Sequence, residues 1–131
     1  MSLDHLRYTP PDEAGQWTID QFQADVEAYT NSPYWQHQQP PVVLLRHLLY
    51  HLQRATTKVS DALEIEDHGN PLDLSLIISE VAPDLATTAA QLAMLGNANL
   101  GDLIAARRNQ NMTRIEQQWA EKGINPLEPA S

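Results

Sequence analysis

The stretch Val42-Val43-Leu44-Leu45-Arg46-His47-Leu48-Leu49-Tyr50-His51-Leu52-Gln53-Arg54-Ala55-Thr56-Thr57-Lys58-Val59-Ser60-Asp61-Ala62-Leu63-Glu64 constrains this chain most, because it carries helical periodicity without a single Gly or Pro. Leu45, Leu48, Leu52, Ala55, Val59 and Ala62 recur at steps of three and four, the spacing that lines apolar groups along one face of an α-helix. A helix from about Pro41 to about His68 is expected, stopped by Gly69-Asn70-Pro71. A helix of that length with one apolar stripe must bury it against other helices.

The flanking segments supply those helices. Thr18 followed by Gln21 reads as a capping box, and Ile19, Phe22, Val26 and Tyr29 mark one face of a short helix that Asn31-Ser32-Pro33 ends. From Leu72 to Leu95 the residues Leu76, Ile77, Val81, Leu85, Ala89, Leu92 and Ala93 keep helical spacing, while Pro83 removes a backbone donor and must kink or divide the segment. Gly96-Asn97-Ala98-Asn99 breaks the pattern, Asn99 caps a last helix, and Gly123 stops it. Residues 1–16 read as an irregular leader, 17–123 as the helical domain and 124–131 as an irregular tail. Four or five helices with no strand signal make an all-α bundle, and the narrow apolar stripes predict completion by oligomerisation.

Composition excludes several classes of function. The 131 residues suit one domain, and 19% charged with 42% hydrophobic residues fits a folded chain with no apolar run of the roughly 20 residues that a membrane span needs. The start Met1-Ser2-Leu3-Asp4-His5 lacks a signal-peptide pattern, so the cytoplasm is the expected compartment. With no cysteine, any metal must be held by carboxylates or histidines, and hard cations suit such donors best. A formal charge of −9 with eight Lys and Arg argues against nucleic-acid binding.

Chemistry can sit in a few places. Asp61 and Glu64 are one turn apart, as are Glu80 and Asp84, so each pair projects two carboxylates from one side of a helix. Two such helices packed antiparallel would gather four oxygen ligands for Mg²⁺; equally, 17 acids in 131 residues form such pairs by chance on solvated faces. Arg107, Asn111 and Arg114 step by four and three along the last helix, where they can hold a phosphate or pair with the protein's own acids. His47 and His51 are spaced by four without the Glu of a zinc-protease motif and read as a polar stripe with Arg54 and Lys58. Trp35 can stack on a base or anchor its connector, the second being the commoner use of a tryptophan.

The order of these features resembles the MazG-like family of all-α nucleotide pyrophosphohydrolases, a group that also includes the dimeric dUTPases and the phosphoribosyl-ATP pyrophosphohydrolases. The resemblance covers roughly residues 17 to 119. It rests on Trp17-Thr18-Ile19-Asp20-Gln21-Phe22-Gln23, on Glu80-Val81-Ala82-Pro83-Asp84-Leu85 with Leu92-Ala93-Met94-Leu95-Gly96, and on Arg107 to Arg114, where Arg107 replaces the lysine of a Lys-x-x-x-Asn-x-x-Arg pattern. Ser60 and Asp61 stand where the family has two glutamates, and Val81 stands at the next expected glutamate, one residue after Glu80. An alternative register places the first motif at Tyr50 and Gln53, which keeps the fold and loses the metal chemistry.

The resemblance implies a metal-dependent nucleoside triphosphate pyrophosphohydrolase that releases pyrophosphate and a nucleoside monophosphate. Asp61, Glu64, Glu80 and Asp84 would hold Mg²⁺ or Mn²⁺, with Glu64 as base, while Lys58, Arg107, Asn111 and Arg114 would contact the nucleoside triphosphate. A homodimer or homotetramer is implied, with neither nucleic acid nor membrane as partner. The missing glutamates motivate the alternative of a non-catalytic helical module for nucleotide sensing or protein association.

Overall fold

A computed structural model describes residues 18–32 and 40–123 of the chain. The leader, Trp17, the connector that holds Trp35, and the tail lie outside the described residues. Helix α1 spans Ile19–Thr30, α2 spans Pro41–Asp67, α3 spans Ala82–Leu95 and α4 spans Leu100–Lys122, with a π-helical turn at Ile77–Val81 leading into α3. The described residues contain no strand, and none of their helices is long and apolar enough to cross a membrane. The all-α expectation holds.

Local chemistry explains each boundary. Thr18 accepts from the Gln21 amide at 3.1 Å while the Gln21 side chain accepts from the Thr18 amide at 2.9 Å, so the capping box forms. Pro40 and Pro41 open α2, where a missing N–H costs nothing because that donor has no partner inside a helix. At its far end Gly69 takes φ +87°, and Asn70 N–H reaches back to the Ile65 carbonyl at 3.3 Å while Gly69 N–H meets Glu66 at 2.9 Å. That pair of bonds satisfies carbonyls that the helix itself leaves open.

Pro83 does not end the third segment, but the helix type changes just before it. The Ala82 N–H bonds to the Ile77 carbonyl, a five-residue step, so the chain widens into one π turn just before the proline. The widening relieves the clash between the proline ring and the preceding turn, and the helix continues to Leu95. The stop after α3 also differs from a glycine cap. Gly96 has φ −100°, and Asn97 takes the left-handed conformation at φ 50°, with Ala98 N–H on the Ala93 carbonyl at 3.0 Å.

The chain divides into two compact units, with the boundary inside α4 just after Leu100. In the first unit α3 is central and packs against both α1 and α2, while the π turn also touches α2. Among the described residues its core consists of Val26 of α1, Leu48 and Ala55 of α2, Val81 of the π turn, and Ala90 and Ala93 of α3. Alanines at the centre let the helix axes approach closely but give little apolar area. The second unit is the remainder of α4, on which no described residue is buried; Asn111, Ile115 and Trp119, spaced by four, are half-buried along one side.

The expected stripe on α2 mixes two faces. Leu48 and Ala55 are buried and Val59 and Ala62 half-buried, but Leu45 stands 50% exposed and Leu52 is exposed as well. The residues of α2 that are buried or half-buried are Leu44, Leu48, His51, Ala55, Lys58, Val59 and Ala62.

Polar side chains complete the first unit. Gln23, on the inward side of α1, donates to the Ala98 carbonyl at 2.8 Å and to Glu27 at 3.2 Å, and accepts from the Leu100 amide at 2.6 Å. One buried amide thereby fastens the turn after α3 onto α1 and caps the first N–H of α4. Gln91 of α3 donates to the Thr30 hydroxyl at 3.1 Å, and both residues are buried. Replacing Gln23 with Leu would leave the Leu100 amide and Ala98 carbonyl without this partner, each worth about 1–3 kcal/mol when shielded from water. Urea unfolding at fixed protein concentration should show Gln23→Leu destabilised by about 2 kcal/mol; a change below roughly 0.5 kcal/mol would refute the clamp.

Candidate functional site

The acids expected to gather a metal lie on α2 and on the segment leading into α3. Asp61, Glu64 and Asp84 are exposed on their helices. Glu80 lies in the π turn, and its carboxylate accepts from the Lys58 ammonium at 2.8 Å. The contact draws the second half of α2 and the π turn together, and it joins two residues 22 positions apart that were expected in different roles, one on the metal and one on the substrate. Glu64 has the imidazole of His68 at 3.9 Å, one turn further along α2, with both side chains largely in solvent. No group of three or more His, Asp or Glu side chains placed to hold a metal occurs among the described residues.

The energetics of the Lys58–Glu80 pair are modest. The Lys58 side chain is 21% exposed and that of Glu80 48%, so solvent screens the pair and its net worth is about 0–1 kcal/mol. Its structural effect is orientation: the lysine stem runs along the inward side of α2, and its charged end reaches the acid at the edge.

On α4, Arg107 and Arg114 are exposed and Asn111 is half-buried. Arg107 donates to the Gln110 side chain at 2.7 Å, three residues along the same helix. The three residues share one side of α4, as their spacing predicts.

The histidine pair on α2 is in contact. The Nε2 atoms of His47 and His51 are 2.8 Å apart and the rings meet edge to face with centroids at 4.5 Å. One ring must donate and the other accept, so the pair holds together with at most one ring charged. Partial burial, followed by the charge of His51, pushes the His47 pKa below the ordinary histidine value. Tyr50 packs near His51, and the Arg54 guanidinium lies 5.8 Å from the Tyr50 ring centre, a cation–π approach. Of the polar stripe read from the sequence, His47, His51 and Arg54 join through ring and cation–π contacts that include Tyr50, while Lys58 turns to Glu80.

The described residues also form an open cleft of about 310 Å³, lined by Asp20, Gln23, Ala24, Glu27, Asn97, Ala98 and Asn99. Its polar groups bond to one another: Asn99 donates to Asp20 at 2.8 Å, and Gln23 spans to Glu27 and Ala98. Sequence reasoning passed over this cluster. The available signal was Gln23 itself, a polar residue four after Ile19 and three before Val26 and so on the apolar side of α1.

Comparisons with protein-family models, with curated proteins and with solved structures find no match to this chain.

Proposed function

We propose that this chain is a helical association module, a subunit that completes its hydrophobic core by pairing with further copies of itself on a MazG-like helical scaffold. One observation carries the reading: α2 buries only Leu48 and Ala55, while Val42, Leu45, Leu49 and Leu63 of the same helix each keep about half of their surface open. Exposed apolar side chains scattered singly are ordinary, but a contiguous row along one helix marks an interaction surface. The segment into α3 adds Ile78, Leu85 and Leu92, exposed at intervals of seven. Folding of such a subunit is coupled to association, so its thermal midpoint depends on concentration. A hundredfold rise in protein concentration should raise the midpoint by about 5 °C or more; an unchanged midpoint contradicts the reading.

A second reading is a Mg²⁺- or Mn²⁺-dependent nucleoside triphosphate pyrophosphohydrolase, and the Lys58–Glu80 contact is the observation in its favour, because it brings Glu80 to Lys58, three residues before Asp61 on α2. On this reading ligands from a second copy complete the metal site built on Asp61, Glu64, Glu80 and Asp84, since no group of three occurs among the described residues. This reading predicts pyrophosphate release from a panel of canonical and modified nucleoside triphosphates with either metal, lost in Asp84→Ala. Absence of release from the folded, associated protein rejects the enzyme and leaves the association module standing.

A further inference from the structure

We propose that the exposed face of α2 pairs with α2 of a second copy in antiparallel orientation. This rests on the self-association proposed above and names its surface, partner and direction.

The pattern comes from residues that the chain's own core does not use. Val42, Leu45, Leu49, Leu52, Thr56, Val59 and Leu63 follow one another at alternating steps of three and four over three heptads, the repeat by which two helices interlock side chains. Val42, Leu45, Leu49 and Leu63 are 52%, 50%, 52% and 51% exposed, Leu52 and Thr56 are exposed too, and Val59 is half-buried, so that it borders the chain's own core while keeping part of its surface open. Leu48 and Leu49 are neighbours in sequence and so about 100° apart around the helix. Leu48 is fully buried and Leu49 is open, so α2 has two apolar faces and the chain covers one. On the covered side the seam is bordered by Leu48 and Ala55, which belong to the core, and by Ala62, which is half-buried. On the open side it is bordered by Arg46, Gln53, Ser60 and Asp67.

Charge decides both the partner and the direction. The basic residues of α2 are Arg46, Arg54 and Lys58, with no acid before Asp61; Asp61, Glu64, Glu66 and Asp67 then follow with no further base. That order opposes the helix dipole, since the last turn carries acids and no base where positive charge is favoured. A parallel second copy sets Arg46 level with Arg46 and Asp67 level with Asp67. An antiparallel copy instead brings the basic half of each helix to the acidic half of the other, with Arg46 of one copy beside Asp67 of the other, twice by symmetry. The seam then meets as Leu45 with Leu63, Leu49 with Val59, and Leu52 with Thr56. Any partner must be apolar along its length and acidic at one end and basic at the other, which α2 itself is.

The absence of native cysteine makes the test direct. A chain bearing both Leu49→Cys and Val59→Cys, oxidised mildly and digested, should yield the peptide pair that joins position 49 of one chain to position 59 of the other; within one chain these positions are too far apart to bond. Pairs joining 49 to 49 and 59 to 59 indicate a parallel arrangement and overturn the proposal, as does a dimer with no cross-link. The exposed flanks give a second variant set. Arg46→Glu and Asp67→Arg should each weaken the dimer about tenfold, and their equimolar mixture should recover to within about threefold of wild type, because the first carries acids at both flank positions and the second bases at both. A mixture no tighter than the singles overturns the antiparallel pairing and leaves self-association intact. A wild-type chain that stays monomeric overturns both.

Discussion

A helix of 27 residues with two apolar faces governs this structure. The face through Leu48 and Ala55 meets α3, whose buried Ala90 and Ala93 provide a close but small contact. The face through Leu45, Leu49 and Leu63 meets solvent. Apolar burial is the main favourable term in folding, at about 25 cal/mol per Å², and among the described residues of the first unit the one large fully buried side chain is Leu48. The physical question posed by the chain is therefore what covers the second face of α2. The proposed answer is α2 of another copy.

Polar contacts supply part of what the small core lacks. Gln23 satisfies an amide and a carbonyl in the turn after α3 and so fixes where α4 begins, while Gln91 with Thr30 ties α3 to α1. Such buried amides hold a specific geometry because leaving any of their partners unmet is costly. The same economy appears at Pro83, where a single π turn keeps a continuous helix and places Glu80 at the side of α2 in reach of Lys58.

Much of the fold was legible from local chemistry. The Thr18–Gln21 box, the stop at Gly69 and the limits of α2 follow from bonds within a few residues, and the structure reproduces them. The choice of inward face on α2 was only partly legible. Leu45 and Leu52 repeat with the same period as Leu48 and Ala55, so periodicity reveals a helix without telling which of two apolar rows meets its own chain. Gln23 went unread because its partners, Ala98 and Leu100, lie more than seventy positions away in the sequence. The Lys58–Glu80 contact was hidden for the same reason: spacing along a helix shows which side chains share a side, whereas pairing between helices depends on packing. The acids at 61, 64, 80 and 84 illustrate the limit, since spacing within a helix pairs them two by two, and no group of three His, Asp or Glu placed to hold a metal occurs among the described residues.

A subunit with one covered and one open apolar face differs from a self-sufficient bundle in the mass it shows in solution. Sedimentation equilibrium of the unmodified chain, from low micromolar to roughly millimolar concentration, measures that mass without mutation or label. The mass of two chains, or a multiple of two, is the result predicted here. A single-chain mass across the whole range would contradict it, because no second copy would then cover the apolar row through Leu45, Leu49 and Leu63.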